Sequence, residues 1–117
     1  LNELAKLIKF NFNIINKFVS NFNNENTISL NNAFERFGIP DFIKVDIEGG
    51  EKTLMNNSYE IIKKKFIKMI IELHSEEIEI SIIKDLNQYD INFKIINAHD
   101  KTRLIRKVTY MKWLIIN

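Results

Sequence analysis

The chain has 117 residues, 45% of them apolar, and 17 basic against 15 acidic side chains give a net charge of +2. That is enough for one domain with a hydrophobic core, and the near balance of charge argues against an electrostatic nucleic-acid binder. The absence of cysteine excludes disulfides, thiolate metal sites and cysteine nucleophiles. No apolar run approaches the roughly 20 residues that span a bilayer, and an N-terminus carrying Glu3, Lys6 and Lys9 has no signal-peptide pattern. A cytoplasmic location is therefore the default expectation. The chain opens on Leu1 instead of Met, which reads as an excerpt of something longer.

Leu1, Leu4, Ile8, Phe12, Ile15, Val19 and Phe22 recur every three or four residues, which predicts an amphipathic N-terminal helix. Its apolar stripe either docks a partner or packs on the chain's own sheet. Asn23-Asn24-Glu25-Asn26 reads as a loop and sets the expected boundary, with a helical segment over 1–26 and an α/β unit over 27–117. Ser29 is placed to cap a helix bearing Leu30, Ala33, Phe34 and Phe37, and Gly38 and Pro40 end it.

A strand is expected from Phe42 to Ile47, then a helix opened by Gly49-Gly50 and running to about Met55. Asn56-Asn57 interrupts it, and Ser58 caps a second short helix ending at Lys63-Lys64-Lys65, where positive charge suits the helix dipole. Phe66 to Leu73 reads as a second strand. Ser75 caps a helix with Ile78, Ile82, Leu86 and Tyr89 on its buried face. Ile91 to Asn97 is a third strand, His99-Asp100-Lys101 a turn, and Tyr110 to Ile116 a fourth strand whose Tyr110 and Trp113 read as packing residues. The fold class is α/β: three parallel strands alternating with helices, then an antiparallel C-terminal hairpin.

The chemistry concentrates at the strand ends, which is where α/β sheets bind ligands. Asp46 and Glu48 follow the first main strand, and alternation puts them on one side if the strand persists that far. They read either as ligands for a cofactor, metal or substrate hydroxyl, or as a strand-end acid and a helix cap. Gly49-Gly50 either admits a close ligand or only makes the turn. Glu72 and His74 end the second main strand, so with Asp46 they can converge to hold a divalent metal or position a substrate proton. The three glycines, Gly38, Gly49 and Gly50, cannot make a dinucleotide or Walker phosphate loop.

The run Ile43-Lys44-Val45-Asp46-Ile47-Glu48-Gly49-Gly50-Glu51 resembles the K-I-D-V-E-G-A-E signature of FkbM-type methyltransferases. Thr27-Ile28-Ser29-Leu30 is similar to that family's T-x-S-L approach, and Ile70-Ile71-Glu72-Leu73-His74 to its I-x-I-E-x-H strand. The resemblance implies a partial Rossmann-like sheet, S-adenosylmethionine as cofactor, and O-methylation of a sugar or small metabolite. It implies that Asp46 and Glu48, with Gly49, lie near the cofactor's methionine end or the substrate, and that Glu72 and His74 line the substrate side. In such an enzyme His74 or Asp46 takes the acceptor's proton, or a divalent metal lowers the hydroxyl's pKa.

Gly50 stands where the signature has alanine, and Asn31-Asn32 stand where the family tends to have acids. The glycine-rich cofactor loop of the family's N-terminal half has no counterpart here, so the chain reads as the C-terminal half of such a domain. The partners expected are a second copy of the chain or the missing N-terminal half. The rival expectation is a non-catalytic α/β binding or assembly module.

Overall fold

A computed structural model describes residues 13–97 and 110–117. Ten elements follow in order: β1 (Phe18–Val19), β2 (Thr27–Ile28), α1 (Leu30–Phe37), β3 (Phe42–Val45), α2 (Glu51–Met55), α3 (Tyr59–Lys64), β4 (Lys68–Leu73), α4 (Glu76–Gln88), β5 (Phe93–Asn97) and β6 (Lys112–Ile116). The result is a mixed α/β fold with a two-stranded parallel sheet and a four-stranded mixed sheet of order β3-β4-β6-β5.

The helix expected through Val19 and Phe22 does not form there. Phe18 and Val19 instead pair in parallel with Thr27 and Ile28. The cause is local and lies in the asparagines, whose side chains compete for backbone groups. Asn24 Oδ1 accepts the N–H groups of Asn26 and Thr27 at 2.8 and 2.9 Å, and Asn23 Oδ1 accepts that of Ser29 at 2.8 Å. The first part of that expected helix, and the His99–Lys101 turn, lie outside the described residues.

The caps form much as the sequence suggests. Ser29 and Ser75 accept the N–H groups of Asn32 and Ile78, each at 3.2 Å, and so fix the starts of α1 and α4. Ser58 precedes α3 without capping it; its hydroxyl donates back to the Leu54 carbonyl at 3.3 Å. Lys63 closes the end of α3 by donating to the Tyr89 carbonyl at 2.9 Å.

β3 and β4 pair in parallel, Val45 opposite Ile71, and β5 and β6 pair antiparallel as the hairpin expectation required. The difference lies between them: β6 inserts between β4 and β5 and pairs antiparallel with both. β5 therefore runs in the same direction as β3 and β4 without touching β4.

The two faces of this sheet differ. Val45, Met69, Ile71, Leu73, Leu114 and Ile116 point to one side and form a single core with Leu54 and Met55 of α2, Tyr59 and Ile62 of α3, and Ile82 and Leu86 of α4. Burying an aliphatic side chain of this kind contributes about 1.5–3 kcal/mol. The opposite face carries Phe42, Lys44, Ile70, Glu72, Trp113, Ile115 and Ile96, none of them fully buried. A polar joint holds the helices in register. Asp85 of α4 accepts from Lys52 of α2 at 2.5 Å and from the Tyr59 hydroxyl of α3 at 3.1 Å, and Tyr59 stacks on Tyr89. No helix among the described residues is long and apolar enough to cross a membrane.

Candidate functional site

The parallel register brings the strand-end acids together. Val45 is opposite Ile71, so Asp46, one residue on, comes level with Glu72. Alternation sends Glu72 to the face away from Ile71 and Leu73, and Asp46 and His74, each one residue past its strand, lie beside it at the sheet edge. A carboxylate oxygen from each acid and one imidazole nitrogen lie within 4.8 Å of one another. Three of the residues singled out in the sequence thus share one site.

His74 is held from both sides of its ring. Nδ1 contacts Oε1 of Glu51, and Nε2 lies 3.7 Å from Oδ1 of Asp46. Glu51, in the first turn of α2, is fully buried, whereas Asp46 is exposed. Burial alone would push the imidazole pKa down; the Glu51 hydrogen bond and the negative charges of Glu51, Glu72 and Asp46 outweigh it, and the pKa stands above the usual 6.5. A carboxylate on Nδ1 also fixes the tautomer, leaving Nε2 as the nitrogen presented to Asp46.

Glu51 was not among the candidate site residues, although the sequence carries a signal for it. On a helix it shares a face with Leu54 and Met55, three and four residues on, and both are core residues. A carboxylate on an apolar face needs a buried partner, and His74 is that partner.

Glu48 and Gly49 do not join the cluster. β3 ends at Val45, so alternation does not reach Glu48. Glu48 lies in the turn with φ 34, exposed, and Gly49 follows with φ 93. The cap of α2 is Gly50, with no side-chain cap, so Glu48 does not serve as the helix cap either. The positive φ at two successive residues turns the chain from β3 into α2 and brings Glu51 under His74. Trp113, opposite Glu72 in register, is half-buried and flanks the acids on the same face.

The edge of two neighbouring parallel strands, with a clamped imidazole between carboxylates, has the placement of a ligand site in an α/β enzyme. The sequence supplies the family: residues 6–107 match the model of the methyltransferase FkbM domain. The chain belongs to the FkbM methyltransferase family, whose usual methyl donor is S-adenosylmethionine. No curated protein and no solved structure matches it.

The donor set suits one end of that cofactor. Carboxylates complement a cationic sulfonium and an ammonium group, and Asp46 is the exposed acid of the set.

Proposed function

We propose that the chain is the acceptor-side half of a Rossmann-like, S-adenosylmethionine-dependent O-methyltransferase acting on a hydroxyl of a sugar or small metabolite. The observation that carries this reading is the Asp46–His74–Glu51 row at the ends of β3 and β4, in a chain of the FkbM family. The cofactor supplies an electrophilic methyl group. The protein's task is to hold the acceptor oxygen in line with it and to ease loss of the hydroxyl proton. His74 Nε2 and Asp46 Oδ1 lie 3.7 Å apart, wider than a hydrogen bond, so both can reach an acceptor oxygen placed alongside them. Glu51 keeps the imidazole oriented, and Glu72 and Trp113 border the acceptor side. Glu48 and Gly49, in the adjoining turn, would meet the cofactor from the α2 side.

The test is transfer of label from methyl-tritiated S-adenosylmethionine, at millimolar donor, to a panel of sugars and hydroxylated metabolites. Labelling of one acceptor at oxygen, lost in Asp46→Ala and His74→Ala with the circular dichroism unchanged, supports the reading. Undiminished transfer in both variants would remove these residues from the chemistry. A chain that folds and labels nothing would favour a binding module instead.

A further inference from the structure

We propose that Asp46, Glu72 and His74 form a site for one divalent cation of the Mn2+ type, with Glu51 orienting the histidine from behind. The three ligand atoms lie within 4.8 Å of one another. Two ligands each about 2.1 Å from an ion lie at most about 4.2 Å apart. Asp46 Oδ1 and His74 Nε2, at 3.7 Å, already meet that limit, and the set as a whole is only slightly wider than it. Two carboxylates and one imidazole are a mixed oxygen–nitrogen set, suited to a divalent ion between the hard and borderline classes.

The surroundings point to a cation independently of the ligand triangle. Metal-binding histidines almost always give their second nitrogen to a carboxylate or carbonyl, which fixes the ring and raises its basicity. His74 has that arrangement, with Nδ1 on Glu51 and Nε2 turned to the acids. Glu51 is fully buried, and its other oxygen, Oε2, has no partner among the described residues. That leaves one buried carboxylate oxygen without a hydrogen bond beside the histidine. A divalent ion on Nε2 would draw on the ring that Glu51 holds from Nδ1. The same ion would coordinate an acceptor oxygen and lower its pKa, a use that rests on the methyl-transfer reading; the binding of the ion does not.

The test uses the full chain and MnCl2 alone, followed by calorimetry and by the paramagnetic resonance signal of free Mn2+. One saturable site per chain is expected, with nitrogen coupling to the bound ion that His74→Ala removes. Asp46→Asn and Glu72→Gln should each weaken binding at least about tenfold, and Glu51→Gln about 10–100-fold although it touches no ion. Asp46 is exposed, so Asp46→Asn keeps the fold and remains informative if the buried Glu51 variant does not. Lack of saturable binding, or binding unchanged in Asp46→Asn and Glu72→Gln, overturns the proposal. Donor and acceptor are absent from the titration, so failure of the ion site and failure of methyl transfer are read separately.

Discussion

Glu51 and His74 are 23 positions apart in sequence and share a hydrogen bond between a fully buried carboxylate and a ring nitrogen. That pairing gives His74 a titration that can be followed alone. In the ion-free protein, nuclear magnetic resonance should find its pKa above 6.5, and Glu51→Gln should move it down toward that value. An unchanged titration in the variant would mean that Glu51 does not set the charge of the ring.

The same shift fixes a pH dependence of stability. A histidine whose folded pKa is raised binds more protons when folded than when unfolded, so stability falls with rising pH in that window. The contribution of His74 is complete below about 6.5 and is lost as pH rises through its folded pKa. Urea midpoints of the ion-free chain should fall across that interval, and the fall should flatten in His74→Gln.

The two adjacent glycines should respond differently to alanine. Gly49 has φ 93 with nothing within 4 Å of an added Cβ, so Gly49→Ala suffers only the backbone strain, about 1–2 kcal/mol. Gly50 has φ −92, and its Cβ would meet the Cδ1 of Ile47 at 3.1 Å, the end of a side chain able to move. Gly50→Ala, the residue of the family signature, should be neutral or stabilising by up to about 1 kcal/mol. Thermal midpoints of the two variants check this, and equal losses would contradict it.

Asp85 joins three helices, so Asp85→Ala leaves the Tyr59 hydroxyl and the Lys52 ammonium without their shared acceptor. A loss of about 1–3 kcal/mol is expected in denaturant unfolding. Because Lys52 is next to Glu51, the variant should also broaden the His74 resonance; a change in stability alone would separate the joint from the site.

Calorimetric titration of S-adenosylmethionine into the chain should give a dissociation constant weaker than about 0.1 mM. The acidic edge can meet the methionine end, while Gly38, Gly49 and Gly50 supply no nucleoside cradle. Micromolar binding would show that another part of the chain provides one.

The convergence of Asp46, Glu72 and His74 was legible because it needs only strand ends, period two and parallel pairing. Glu51 was harder to read, since an acid in a first helical turn already has a reason in the helix dipole. Its apolar face was the stronger signal. The N-terminal periodicity misled over Phe18–Phe22 because asparagine side chains bound the backbone more locally than an apolar stripe could. The place of β6 was not legible at all. Its pairing with β5 follows from sequence adjacency, but its pairing with β4 depends on which edge of a long-range contact closes.

That insertion has a kinetic consequence. β6 is later in sequence than every other element, yet it supplies the second neighbour of the strand that carries Glu72 and leads into His74. Until residues 112–116 arrive, β4 is an edge strand with half its backbone groups unpaired, and β5 has no described strand to join. The acids can be in place early, but a rigid site must await the last strand. Loss of Trp113 to Ile116 should therefore leave a soft, association-prone intermediate with its helices formed and its ligand edge unsupported.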